Sequence, residues 1–369
     1  MKLICNKLSL YEAMTNVSKA ISERSSLPCL EGMKFKLRDS LLELTGYDLE
    51  IGIRTTIAVR SDDECEFIIK AKLFSEMIRK MPADEIVIEM NENMQVTITG
   101  GSAVYNIAAQ AADEYPMLPD KQNCENISLP QPMFKSMINQ TLFAASASDI
   151  NPTLKGELFE FEKGVFNLVA MDNYRLAVRT ESVKVETDKS FIVPSRAMGE
   201  AARLLSDNDE DKCELFLSSK HIIFEINGYL VYSRLIEGNF HPYKSAIPKN
   251  ITTEVVVDRK ELISTLERAM LLISDRTPSP VRCYFENGMI KIKCATSNGK
   301  IQDEIKADMT GPVIEMGFKC KYMLDPLGRI NDEKIKLEMS GSLYPMKIVP
   351  VKGSEYVYLT LPVRLSRER

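Results

Sequence analysis

Phe67–Pro82, FIIKAKLFSEMIRKMP, is the stretch that decides how the rest of this chain is read. A short apolar strand runs directly into a helix. The same arrangement returns in Phe191–Ser206, FIVPSRAMGEAARLLS, and in Met316–Asn331, MGFKCKYMLDPLGRIN, at offsets of 124 and 125 residues. A second trio keeps nearly the same rhythm. Lys7–Ile21 carries apolar residues at Leu10, Met14, Val17 and Ile21, and Asp258–Ile273 carries Leu262, Leu266, Ala269 and Ile273. Between them, Gln131–Ala145 carries Phe134, Ile138 and Ala145, with Thr141 as the weak member. Each set follows the i, i+4, i+7, i+11 spacing of an amphipathic helix.

Between the two helices, Leu27–Leu37 (LPCLEGMKFKL) matches Asn151–Phe161 (NPTLKGELFEF), with Pro28, Leu30 and Gly32 answered by Pro152, Leu154 and Gly156. Alternating strands fill the remainder, with Asn or Gly at their turns. Self-similarity at a fixed period marks a repeated structural unit. Each unit of roughly 120 residues reads as two helices and about eight strands, an α+β domain with helices packed on antiparallel sheets. The expected domains are 1–124, 125–250 and 251–369, with linkers near KQNCENISLP and AIPKNITTE.

The composition, 44% apolar and 27% charged, is that of a globular protein. No apolar run reaches the roughly 18 residues of a membrane span, and the N-terminal stretch has no signal-peptide h-region. The eight cysteines form no C-x-x-C pair, which argues for reduced thiols, for a cytoplasmic location and against zinc. Only His221, in an expected turn, and His241, in an expected loop, are available as histidines. Neither belongs to a nucleophile motif, and the phosphate-binding glycine loops and H-E-x-x-H are missing. Asp207 and Asp209 read as a solvated turn. The expectation is a protein without catalysis, cofactor or metal.

The net charge of −5 argues against a nucleic-acid partner only if charge is evenly spread. It is not. Lys72, Arg196 and Lys321 occupy one position of the second helices; Arg79 and Arg203 follow seven residues on, and Arg329 eight. Seven residues are two helical turns, so each such pair shares a face. The first helices add Lys19, Lys135, Lys260 and Arg268, and Arg24 follows the first of them, while strands such as DDECE and ELFEFEKG carry acid. A solvated helix face explains any single helix. Recurrence on equivalent helices points to a common anionic partner, bound through phosphates without base reading. Because these helices lack interleaved aromatics, duplex is favoured over single strands.

The chain ends in YVYLTLPVRLSRER (Tyr356–Arg369), with Val357, Leu359, Leu361, Val363 and Leu365 on alternate positions, the pattern of a strand with one buried face. Together with AMDNYRLAVRT, LIEGNFHPYKSAIPKN, AADEYPMLP and the triplicated unit, this terminus resembles the bacterial replicative sliding clamps, the DNA polymerase III beta subunits, over the whole length. The resemblance implies a head-to-tail homodimeric ring, helices lining the hole and sheets outside, that encircles duplex DNA and tethers the replicative polymerase.

The resemblance further implies that the polymerase, clamp loader and repair proteins bind through short peptides, often Q-x-L-x-L/F, in a cleft between the second and third domains. Carried over, the cleft residues are Leu154, Met171, Asn173, Tyr174, Arg175, Leu176, His241, Tyr243, Ala246, Leu343, Leu359, Leu361, Pro362, Val363 and Arg364. The DNA-facing residues are Arg24, Lys72, Arg79, Lys135, Arg196, Arg203, Lys260 and Lys321. Tyr105 and Ile107 would meet Leu272 and Ile273 of a second copy. Met171, Asn173 and Ser245 depart from the family pattern, where Thr, Gly or Ser, and Arg are common, and the SRER tail extends past the usual end.

Overall fold

The computed structural model describes residues 1–185, 188–274 and 278–365. The first repeat contains β1 (Lys2–Asn6), α1 (Lys7–Val17), β2 (Gly32–Arg38), β3 (Leu41–Tyr47), β4 (Ile51–Ala58), β5 (Cys65–Lys70), α2 (Ala71–Lys80), β6 (Glu85–Met90), β7 (Gln95–Gly100) and β8 (Ala103–Ala108). The second contains β9 (Glu125–Pro130), α3 (Gln131–Thr141), β10 (Gly156–Glu162), β11 (Val165–Met171), β12 (Arg175–Ser182), β13 (Lys189–Pro194), α4 (Ser195–Leu204), β14 (Lys212–Leu217), β15 (His221–Ile226) and β16 (Tyr229–Arg234). The third contains β17 (Thr253–Asp258), α5 (Arg259–Met270), β18 (Val281–Glu286), β19 (Met289–Thr296), β20 (Gly299–Thr310), β21 (Ile314–Phe318), α6 (Cys320–Leu327), β22 (Lys334–Met339), β23 (Met346–Pro350) and β24 (Tyr356–Thr360). Among the described residues each repeat thus carries two α-helices and eight strands in the same order.

The helices start where the sequence provides caps. Asn6 accepts the Ser9 N–H at 3.1 Å, and Asp258 accepts the Glu261 N–H at 2.9 Å, each satisfying an amide the helix itself cannot. The expected apolar stripes face inward: Leu10, Met14 and Val17 on α1, and Leu262, Leu266 and Ala269 on α5, are fully buried. α6 stops early because Pro326 lies in its last turn, so Arg329 lies beyond the helix and not on its face. His221 opens β15 instead of sitting in the turn before it. At the next turn, Asn227 and Gly228 both take positive φ, the geometry a two-residue hairpin needs.

The chain divides into two compact units. One comprises Met1–Met133 with Gly199–Leu235, the other Phe134–Met198 with Ile236–Arg369. The division passes through the second repeat because strand pairing ties its halves to different neighbours. In the first unit a sheet of order β5-β2-β3-β4-β16-β15-β14-β9 crosses from the first repeat into the second, and β1-β6-β7-β8 forms a separate sheet. In the second unit β13-β10-β11-β12 continues into β24-β23-β22-β17 and on to β20-β19-β18-β21.

The two crossings are equivalent. Ile51 and Gly52 of β4 pair with Ser233 and Tyr232, and Arg175 and Leu176 of β12 pair with Thr360 and Leu359. In the second unit the larger apolar core lies between α5, α6 and the third repeat's strands. A smaller one gathers Leu158, Val169, Leu176, Val178, Ile192, Tyr243 and Leu359.

Candidate functional site

A cleft of about 370 Å³ opens in the second unit where β12 meets β24. Leu154, Met171, Leu176, Ala246, Pro345, Leu359 and Leu361 form its apolar walls, and Asn151, Asp172, Asn173, Tyr174, Arg175 and His241 its polar rim. The turn between β11 and β12 builds one side. Asp172 Oδ1 accepts the N–H groups of Tyr174 at 2.7 Å and Arg175 at 3.0 Å, a side-chain turn that fixes the loop. Leu361 N–H donates to the Tyr174 carbonyl at 2.9 Å, carrying the terminal strand's pairing past β24 to the cleft mouth.

The terminal strand buries both faces, not one. Tyr356 and Tyr358 sink into the third repeat's core, while Leu359 packs on the opposite face, in the smaller core and the cleft wall. Leu361 is 39% exposed and available from the cleft. Beyond it the chain turns away, and Val363 N–H donates to the Gly317 carbonyl at 2.7 Å. A Cβ on Gly317 would fall 2.4 Å from a Leu365 methyl and 3.1 Å from the Val363 carbonyl oxygen, so a larger residue here would make the Leu365 side chain shift off β21.

The structure brings together ten of the fifteen residues expected in the cleft. Tyr243 lies behind the wall, buried, its hydroxyl donating to Glu160 Oε2 at 2.7 Å; burial and that carboxylate push the phenol far above its ordinary range. Leu343 is largely exposed beside Pro345. Pro362, Val363 and Arg364 follow Leu361 outside the lining, because Val363 is held on β21. The tail Ser366–Arg369 lies outside the described residues.

Sequence reasoning missed Asn151, Asp172 and Pro345 as lining residues. Asn151 and Asp172 stand in strings already singled out, NPTLKG and AMDNYRLAVRT, so their positions carried a signal. It also missed what holds Arg175. The guanidinium is nearly buried, donates to Asp172 Oδ2 at 3.0 Å, pairs with Asp325 of α6, and lies 4.7 Å from the Tyr322 ring centroid. Tyr322 in turn stacks on Tyr174, centroids 6.0 Å apart. The Lys319 ammonium sits 4.9 Å and 5.0 Å from those two rings.

The basic residues stand on the helices as expected. Lys72, Arg79, Arg196, Arg203, Lys260 and Lys321 are exposed, as is Arg24 in the segment after α1, and Lys135 is half-buried. Several meet a local carboxylate: Lys72 with Glu23 at 2.7 Å, Arg79 with Glu76 at 2.6 Å, Arg203 with Glu200 at 3.3 Å and Lys321 with Asp325 at 2.9 Å. The Lys72 ammonium holds the Glu23 carboxyl below its usual range. Such exposed pairs are weak and screened by salt, so these cations can exchange their carboxylate for another anion. Between α1 and α2 a groove lined by Lys19, Lys72, Tyr11 and Glu76 presents part of this surface.

Tyr105 and Ile107 lie on β8, the edge of the first unit's four-stranded sheet; Leu272 and Ile273 follow α5 in the second unit. Among the described residues, no group of three or more His, Cys, Asp or Glu side chains is placed to hold a metal ion. No helix is long and apolar enough to cross a membrane.

Three tandem α+β units joined through shared sheets, with an apolar cleft at one junction and basic helices, define the clamp class of protein. Models of the DNA polymerase III beta subunit match in succession: the N-terminal domain over residues 1–119, the central domain over 128–242 and the C-terminal domain over 244–364. The chain belongs to the bacterial DNA polymerase III beta subunit family, and its function is that of a DNA sliding clamp, a processivity factor. It is 30% identical over 377 residues to the beta sliding clamp of Bacillus subtilis strain 168, covering 99% of this chain and all of that one. The beta sliding clamp of Halalkalibacterium halodurans is 29% identical over 379 residues, with the same coverage. The crystal structure of the Bacillus subtilis DNA polymerase sliding clamp superposes with a TM-score of 0.95 at 29% identity, over 99% of this chain and 100% of that one. A putative DNA polymerase III beta subunit from Eubacterium rectale superposes at 0.94, also at 29% identity and with the same coverage.

Proposed function

We propose that two copies of this chain close head to tail into a ring around duplex DNA. The cleft at the β12–β24 junction then receives short Q-x-L-x-L/F peptides from the replicative polymerase, clamp loader and repair proteins. The three domains of each copy are taken as 1–124, 125–250 and 251–369. The observation that carries the peptide reading is the cleft itself: apolar walls from Leu154, Leu176, Leu359 and Leu361 under a polar rim suit a peptide with Leu or Phe anchors. Because two carboxylates already hold the Arg175 guanidinium, the peptide's polar part has the rim and backbone groups available.

Ring closure is supported by the repeat pattern. β4 pairs with β16 and β12 with β24, so the third member of the series, β20, calls for the equivalent of β16 and β24, which is β8. Among the described residues neither β8 nor the Gly299–Lys306 part of β20 has a strand on its second edge. In the register of the other two junctions, Ile107 of one copy falls opposite Gly299 of the other. A Cβ on Gly299 would lie 3.7 Å from the Leu272 side chain, so Ile107 arrives beside Leu272. Closing the pair removes both exposed edges.

Inside the ring, modest phosphate attraction suffices because topology retains the protein, and a polymerase that lets go remains at high effective concentration. The test of the cleft is binding of a fluorescent Q-x-L-x-L-F peptide to the chain and to Leu361→Ala. The expected result is saturable binding weakened about tenfold or more in the variant, from loss of one buried leucine contact. Equal binding by both proteins contradicts the assignment.

A further inference from the structure

We infer that the cleft selects partner peptides carrying a side-chain carboxylate, Asp or Glu, that reaches Lys319 at the Tyr174–Tyr322 end of the site. This deepens, and rests on, the peptide-binding reading. Three cations gather there, Arg175, Lys319 and Lys321, and two carboxylates, Asp172 and Asp325. Asp172 is fully engaged: one oxygen takes two backbone N–H groups, the other the Arg175 Nε. Asp325 is shared between Arg175 and Lys321. Both carboxylates are therefore committed to the other two cations, and the remaining positive charge resides on Lys319, which meets no carboxylate among the described residues.

Lys319 is also held in place. Its ammonium rests 4.9 Å and 5.0 Å from two stacked tyrosine rings, an attraction to the ring faces that restrains the side chain. Ring faces do not exhaust an ammonium's three N–H donors. An arriving carboxylate thus meets an ordered cation with donors to spare, and forms a charge-assisted hydrogen bond without the full cost of immobilising a lysine. Tyr174 lines the cleft and is half exposed, so a peptide seated there passes within reach of the pair.

The test uses the full-length chain and C-terminally amidated Q-x-L-x-L-F peptides in which each non-anchor position, and the residue on either side, carries Asp or Asn in turn. At low ionic strength one position is expected to favour Asp by about two- to five-fold, a preference that shrinks as salt screens it. Lys319→Glu is expected to invert that preference so that a Lys peptide is favoured there, and Lys319→Arg to restore it. An Asp-to-Asn ratio unchanged in Lys319→Glu overturns the inference while leaving the cleft intact. An Asn peptide with a free C-terminus that gains as much as the amidated Asp peptide overturns the commitment to a side chain. If no peptide binds the unaltered chain, the cleft reading falls and this inference with it.

Discussion

Glu157 is a fully buried carboxyl where the first repeat carries Met33, and its neighbour Thr141 stands where that repeat has Val17. The second repeat thus replaces an apolar contact with a polar pair. Thr141 Oγ lies 2.8 Å from the Met137 carbonyl and 2.5 Å from Glu157 Oε1. The hydroxyl has one proton, and when it donates to the carbonyl the carboxyl must supply the other. Burial pushes the Glu157 pKa up to about 8, in keeping with a neutral acid. The folded state then binds this proton more tightly than the unfolded state. Its contribution is complete below about pH 4.5, the ordinary glutamate value, declines as pH rises and is gone above about 8. Thermal unfolding should show the midpoint falling across that window, by no more than about 1.4 kcal/mol of stability per pH unit. Glu157→Gln should flatten the fall; an identical pH dependence in the variant would exclude Glu157 as its source. Thr141 was visible in the sequence only as the weak member of a stripe. Its partner could not be read, because Glu157 sits sixteen residues away on a strand.

At the scale of elements, the repeats were legible because each helix keeps its apolar spacing and each strand-to-helix passage keeps its residue types. How strands pair between repeats was not legible, since β4 and β16 lie far apart in the chain and alternation is the same whichever neighbour a strand has. The cleft illustrates both sides. The β11–β12 turn and the terminal strand could be assigned from their strings. The contribution of α6 and the residue that caps it, through Tyr322, Asp325 and Lys319, could not; Arg175 and Asp325 are 150 residues apart. The edge strands carry their own prediction. In the proposed dimer, Ile107→Asp would place a charge opposite Gly299 and beside Leu272 of the other copy, where closure would desolvate it. Sedimentation should find this variant monomeric at concentrations where the unaltered chain is dimeric, with the monomer's melting behaviour preserved. A variant that still dimerises contradicts the β8–β20 pairing.

For the whole molecule, net charge was a poor guide and charge placement a good one. The chain is acidic overall, yet Lys72, Arg196 and Lys321 recur at the second position of α2, α4 and α6. Lys72 and Lys321 already face a carboxylate, which suits the proposed role of a surface that attracts phosphates without gripping any one of them. Reversing charge at Arg24, Lys72 and Arg196 together should weaken retention on DNA and make its salt dependence shallower, by up to about three phosphate contacts, without lowering the unfolding temperature. Unchanged retention at low salt would remove these residues from the DNA-facing surface. The most direct test of the encircling clamp is topological: load the protein on closed circular duplex, remove free protein, and follow its retention before and after the circle is cut once. Encirclement predicts long retention on the closed circle and rapid loss from the ends once it is linear. Equal retention on both forms would mean that contacts, not encirclement, hold this protein on DNA.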